Sequence, residues 1–312
     1  MPAAPGRPRL AVTLGDPRGV GPEVVAAAIT AGPLDADLVM LGPDDLVAGI
    51  PARSRIGVGK WGQGTGEGDD PERATLAGQL AGRAIERAVW LARAGDVDAI
   101  VTAPVHKRAL HLAGFKYPGV TEFLSQLAGG LETVMLLATG PLRVALVTTH
   151  LPLRDVFAQL TRERVVRVGE IAAAGLTRWW GIARPRLALC ALNPHAGEGG
   201  LFGDEDERIL RPAAQALGAA GPLPADTVFV RALRGEFDAV LAPYHDVGMT
   251  AVKVAGFGTG VNVTLGLPFV RTSPDHGTAF DIAGKGKADA GSMRAALELA
   301  CQLTNRGKTH EK

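Results

Sequence analysis

Cysteine is almost missing from this chain of 312 residues: Cys190 and Cys301 are the only two, far apart, in the apolar runs LALCAL and LELACQL. That usage argues against a disulfide framework and predicts buried, inert thiols. An excess of either charge is missing too. Lys and Arg number 33 against 32 for Asp and Glu, a formal charge of +1, so nothing marks a nucleic-acid surface and there is no acidic tail. No apolar stretch approaches the ~18 uncharged residues of a membrane span. The N-terminus MPAAPGRPRL lacks the apolar centre of a secretory signal. The expectation is a cytoplasmic protein without membrane or nucleic-acid partners. The length suits about two domains on a prior of ~150 residues each.

What is present is an alternation of short apolar runs with long helical patterns. Strands are expected at 10–14, 37–41, 98–101, 134–138, 144–147, 187–192, 237–242, 262–265 and 269–272. Helices are expected at 72–93, 120–127, 162–180, 205–217 and 289–303, with another starting at Pro22 and Glu23 after the turn GDPRGVG. Residues 53–70 read as a loop with an edge strand at most. This pattern is that of an α/β protein with a mainly parallel sheet, or two, covered by helices.

Four polar clusters each follow an apolar strand: TAPVHK, TTHLPL, NPHAGEGG and YHD. In parallel α/β sheets, ligands bind at the carboxyl ends of strands. Three clusters present a lone histidine at the same place relative to the strand: His150, His195 and His245. Any one alone reads as a structural or solvated residue. Three imidazoles that converge leave an open fourth position of the zinc type, and carboxylate-rich surroundings also accept magnesium or manganese. Asp246, beside His245, either orients an imidazole or acts as a base. The stretch Pro243–His276 is expected to form functional loops and strand ends. Its Lys253, Asn262 and Arg271 suit a phosphate or carboxylate; without the nearby histidines, Lys253 and Arg271 would read as solvated cations. No HExxH is present, and GDPRGVG departs from GxGxxG, so that turn holds an anion or is simply a tight turn. His106 and Lys107 lie in a strand-end loop and fit a functional or a structural role equally.

The motifs GDPRGVGPE, TAPVHK, YPGVTEFL, THLPL, LNPHAGEGGLFGDE, GPLPADTVF, YHDVG and VNVTLGLPFVRTSPDHGTAFDIAGKGKAD run in order from about Leu10 to Leu303. Together they resemble the pyridoxal-phosphate biosynthesis protein family typified by 4-hydroxythreonine-4-phosphate dehydrogenase. The resemblance implies two α/β/α subdomains around a cleft, like isocitrate and isopropylmalate dehydrogenases. The first is expected over 1–129 plus 280–312 and the second over 130–279, the latter carrying the dimer contact and the metal and substrate site. It implies a homodimer with the active site at the interface, and a divalent zinc, magnesium or cobalt ion held by His150, His195 and His245 shared between chains. Thr121, Lys253, Asn262 and Arg271 match substrate-binding positions, and Lys253 or Asp246 is expected to move protons. NAD or NADP would bind without a GxGxxG loop, at residues the sequence leaves unassigned.

The implied reaction oxidises 4-phosphooxy-L-threonine at C3 and decarboxylates the β-keto acid to 3-amino-2-oxopropyl phosphate. Two departures stand out: Val120 replaces the family's histidine in YPGHTE, and Val247 replaces the glutamine after YHD. Losing one charged hydrogen bond at Val120 costs ~1.5–3 kcal/mol, enough to change substrate preference. Alternatives are a relative acting on threonate or erythronate 4-phosphate or on a cis-dihydrodiol, and a non-catalytic relative that binds metal or metabolite. Lys253, Asn262 and Arg271 favour a phosphorylated substrate over a dihydrodiol.

Overall fold

Apolar runs of four to six residues form strands here because helices follow them and cover the faces they expose. The structure, a computed structural model, describes residues 6–68 and 70–310. In chain order, the first part holds β1 (Arg9–Thr13), α1 (Gly21–Thr30), β2 (Asp37–Gly42), α2 (Asp44–Val47), β3 (Ser54–Gly57), α3 (Pro71–Ala94), β4 (Ala99–Thr102), α4 (Lys107–Leu112) and α5 (Val120–Leu127). The middle holds β5 (Val134–Thr139), β6 (Leu142–Leu146), α6 (Leu153–Gln159), α7 (Arg162–Trp180), β7 (Leu187–Cys190), α8 (Arg211–Leu217), β8 (Ala220–Leu223), α9 (Ala225–Leu233), β9 (Ala239–Ala242), α10 (His245–Ala255) and β10 (Val261–Leu265). The chain closes with β11 (Val270–Pro274) and α11 (Gly291–His310).

Two compact units result. The first takes the chain up to Thr133 and again from Leu267 to Thr309, and the second is built on Val134–Gly266. In the first unit the strand order is β3-β2-β1-β4-β11 and every pairing is parallel. Its core packs Ile85, Ala88 and Val89 of α3 and Phe123 and Leu124 of α5 against strand residues such as Ala11 and Ile100. Asp70 caps α3 by accepting from Glu72 N, and Gly95 ends it in the left-handed region. The expected boundary at 279/280 lies beyond β11. Because β11 pairs with β4, residues 267–279 count with the first unit.

In the second unit the order is β10-β5-β6-β9-β7-β8. β5 runs antiparallel to both β10 and β6, whereas β6, β9, β7 and β8 are parallel. Val144, Leu146, Ala188, Cys190, Val240 and Ala242 alternate along β6, β7 and β9, so one face of the sheet meets α9 and α10.

Two expectations change. Residues 243–276 are not only loops and strand ends, because α10 opens at His245. The helix expected over 205–217 is present, its first part Asp206–Leu210 wound more widely before it runs straight into α8. Finally α6, β8 and α9 are elements that the apolar pattern does not mark. Both thiols are buried as expected.

Candidate active site

Three adjacent parallel strands, β6-β9-β7, each end just before one of the histidine motifs. A polar side chain placed after an apolar strand therefore emerges at the same edge of the second unit three times over. The loops after β6 and β9 are tied together: Val147 N donates to Ala242 O at 2.9 Å, and Thr148 Oγ1 donates to Pro243 O at 2.8 Å. His150 and His245 consequently lie with ring centroids 5.3 Å apart.

His245 is the first residue of α10, and that helix can approach β6 because residue 248 is glycine. A Cβ there would sit 2.6 Å from Leu146 Cδ2 and 3.1 Å from Val144 Cγ1. His245 Nδ1 lies 2.7 Å from Asp246 Oδ1. A neutral ring that donates to this carboxylate through Nδ1 presents Nε2 as its acceptor. The donor set fits a divalent metal: two facing imidazoles, one oriented by a carboxylate, suit zinc, cobalt and similar ions.

His195 is positioned differently. The five residues His195–Gly199 all have positive φ, from 40° to 78°, a single left-handed turn in which His195, Ala196 and Glu198 are not glycine. Each of those three forgoes ~1–2 kcal/mol relative to a right-handed conformation, and such outliers persist where the surroundings fix them. The ring is exposed and faces Phe202 at 6.3 Å between centroids. Among the described residues, no three His, Cys, Asp or Glu side chains of one chain group around a metal position. The fold thus brings His150 and His245 together and leaves His195 on a separate turn of the same unit.

Lys253 is exposed in the last turn of α10, two turns on from His245. Asn262 lies in β10, and its side-chain oxygen is buried with no hydrogen-bond partner, an acceptor suited to a bound donor. In the first unit, Arg271 of β11 is only 4% exposed and donates from Nη2 to Thr102 Oγ1 at 2.7 Å. Burial pushes its guanidinium down to about 10, with Glu122 pulling the other way, so it remains a cation at neutral pH. Thr121 occupies the first turn of α5. Its neighbour Val120 is half-buried against the core beneath α5 and offers no polar group.

The turn GDPRGVG is built for close packing. A Cβ on Gly21 would lie 2.3 Å from Leu14 O, and Arg18 is buried on Asp16 at 2.7 Å. Arg18 also stands 3.4 Å from His106 Nδ1 and over the Phe280 ring, so His106 has a packed setting as well. Sequence reasoning missed Thr148, Gly248 and the buried Asp206, which holds the approach to the His195 turn. Only the acidic run GDED after a glycine-rich loop hinted at the last.

The family model described as "Pyridoxal phosphate biosynthetic protein PdxA" matches residues 70–300. The chain is 44% identical over 320 residues to the 4-hydroxythreonine-4-phosphate dehydrogenase of Beijerinckia indica subsp. indica, covering 94% of each. It is 43% identical over 322 residues to the D-threonate 4-phosphate dehydrogenase of Salmonella typhimurium, covering 94% of this chain and 98% of that one. The crystal structure of 4-hydroxythreonine-4-phosphate dehydrogenase from Klebsiella pneumoniae is similar with a TM-score of 0.85 at 40% identity, over 95% of this chain and 99% of that one.

Proposed function

Because the chain belongs to the pyridoxal phosphate biosynthetic protein PdxA family and is a dehydrogenase, we propose that it oxidises 4-phosphooxy-L-threonine at C3 with NAD or NADP and decarboxylates the product to 3-amino-2-oxopropyl phosphate. The observation that carries the reading is the His150–His245 pair, with Asp246 on the second ring, at the ends of adjacent parallel strands. His150, His195 and His245 hold a divalent zinc, magnesium or cobalt ion. When bound, that ion supplies Lewis-acid stabilisation of charge on the C3 oxygen, and the nicotinamide supplies the hydride acceptor.

The remaining work belongs to this chain's side chains. Asp246 fixes the His245 ring and its tautomer. Arg271, a buried cation held by Thr102, binds the phosphate or carboxylate as a fork. Asn262 accepts a substrate donor through its unpartnered oxygen. Thr121 contributes a hydroxyl from the first turn of α5. Lys253, or Asp246, takes the C3 hydroxyl proton and returns one to the carbon that loses CO₂.

A homodimer with the site at its interface accounts for a single chain that does not gather all three histidines. It also accounts for apolar side chains left exposed near them: Leu153 and Phe157 after His150, Leu201 and Phe202 after His195, and Val254 and Phe257 after His245. A groove of about 680 Å³ between α9 and α10, with Phe229, Val230, Leu233, Val247 and Val254 on its walls, continues the same surface. Two buried free thiols fit a cytoplasmic protein, and among the described residues no helix is long and apolar enough to cross a membrane.

A second reading, oxidation of D-threonate 4-phosphate, is supported by the 43% identity to the Salmonella typhimurium enzyme of that name and by Val120, which stands where the resemblance expects a histidine. One panel tests both: 4-phosphooxy-L-threonine, D-threonate 4-phosphate and a cis-dihydrodiol, each with NAD and NADP, with and without chelator. NAD(P)H formation from the first with chelator-sensitive kinetics is expected. Chelator-resistant turnover, or turnover of the dihydrodiol alone, refutes the assignment.

A further inference from the structure

The carboxylate of Asp206 is completely buried, yet the chemistry above gives it no part. Both of its oxygens are spent on the two residues that lead into the His195 turn. Oδ1 accepts from Leu192 N at 2.9 Å, and Oδ2 accepts from Asn193 N and from Asn193 Nδ2, each at 3.0 Å. Asn193 Nδ2 also donates to Glu205 Oε2 at 2.8 Å, so one amide is clamped between neighbouring acidic side chains. The turn itself lies over this anchor: a Cβ on Gly197 would be 3.7 Å from Asp206 Cβ and 2.8 Å from Gly203 O.

The turn has little else to keep its shape. Its internal bonds are local: Ala196 N to Asn193 O at 3.2 Å, Phe202 N to Gly197 O at 3.1 Å and a longer one from Leu201 N to Glu198 O at 3.4 Å. Three of its residues prefer the opposite hand. A strained turn carrying an exposed imidazole needs a fixed point, and the buried carboxylate is the group that supplies one. We infer that Asp206 is a positioning residue: it holds the left-handed turn 195–199 and thereby sets where the His195 ring stands when it binds a divalent metal. The inference rests on the reading of His195 as a metal ligand. It differs from the His245–Asp246 arrangement in acting through the backbone rather than on the ring.

The test is titration of metal-free, full-length protein with Co²⁺, followed by visible absorption and calorimetry. Asp206→Asn keeps the shape, but an amide cannot accept all of these donors with both of its ends. Its Co²⁺ affinity should fall about 10- to 100-fold, the usual effect of losing a supporting group, and its absorption bands should shift. Asn193→Ala, a milder change, should fall in the same direction and decides the matter if Asp206→Asn does not fold. Asp45→Asn is the control. Asp45 accepts from Trp61 N at 2.9 Å and Gly62 N at 2.8 Å in the other unit, and its loss should leave cobalt binding alone.

If His195→Ala loses cobalt while Asp206→Asn and Asn193→Ala keep the wild-type affinity and spectrum, the inference is overturned. If His195→Ala binds cobalt normally, the metal reading has failed instead. Limited proteolysis of the metal-free proteins then judges Asp206 by itself: cleavage within 193–205 that is faster than in Asp45→Asn upholds its hold on the turn, and equal rates overturn it.

Discussion

Arg271 and Thr102 join two neighbouring parallel strands through a buried bond of 2.7 Å from Nη2 to Oγ1, which fixes a cation where water scarcely reaches. Arg271→Ala should raise KM for a phosphorylated hydroxy acid by about 10- to 150-fold, the equivalent of a ~1.5–3 kcal/mol charged hydrogen bond. Arg271→Lys should rescue little, since the fork is lost, and Thr102→Val should cost less than either. Anion binding needs the protonated guanidinium, which is present below its folded-state value, so KM should climb as pH rises through about 10. Steady-state kinetics on the three variants would expose a misplaced anion site as an unchanged KM.

Gly248 lets α10 lie against β6. Gly248→Ala places a methyl 2.6 Å from Leu146 Cδ2, and relief by a small helix shift should destabilise the protein by about 1–3 kcal/mol. The same shift moves His245 away from His150, so metal affinity should drop along with the thermal midpoint. A lower midpoint with unchanged affinity would mean that the helix does not set the ring.

Val120→His restores an imidazole at the first helical position of α5. Turnover of 4-phosphooxy-L-threonine relative to D-threonate 4-phosphate should change by about tenfold or more, in line with one charged hydrogen bond. Competition between the two substrates reads the ratio directly, and an unaltered ratio removes position 120 from substrate choice.

Asp238 gives a pH-dependent term in stability. Burial alone would push its carboxyl up, but Arg186 more than offsets this. Arg186 donates from N to Oδ2 at 2.7 Å and from Nη2 to Oδ1 at 3.0 Å, leaving the carboxyl below 3.8. A depressed carboxyl stabilises the fold above its unfolded value and loses that contribution as pH falls through the folded one. Asp238→Asn should therefore cost about 1 kcal/mol at neutral pH, discounted because the Arg186 side chain is 57% exposed. The cost should vanish in strong acid. Urea melts at neutral pH and below pH 3.8 provide the comparison, and equal costs at both would discount the ion pair.

The strands were legible wherever an apolar run met a polar cluster, and this is why the edge bearing His150, His195 and His245 could be read in advance. The helix at His245 was not. HDVGMTAVKVA contains Val247, Gly248, Thr250, Val252 and Val254, all poor helix formers, and the helix is held by its buried side, where Gly248 lies against Val144, Leu146 and Ala242 and Val252 is fully buried. The left-handed turn at His195 left only a trace, the density of glycines around it, because its shape depends on a carboxylate eleven residues later in the chain. Arg271 was visible as a candidate cation, but its burial and its bond to Thr102 depend on β11 crossing back to β4, a pairing that local sequence does not encode.

That return has a consequence for biosynthesis. The body of the second unit, Val134–Gly266, is a single segment, so a growing chain has all its strands once Gly266 has left the ribosome. The first unit must wait. β11 completes its sheet beside β4, and α11 brings Met293, Ala296, Leu297 and Ala300, all fully buried. Until β11 and α11 are translated, the part of the first unit before Val134 carries an open strand edge and an uncovered apolar face. The segment of the first unit that precedes Val134 is thus made before the second unit and completed after it, and during that interval it is a part a chaperone or a protease would meet.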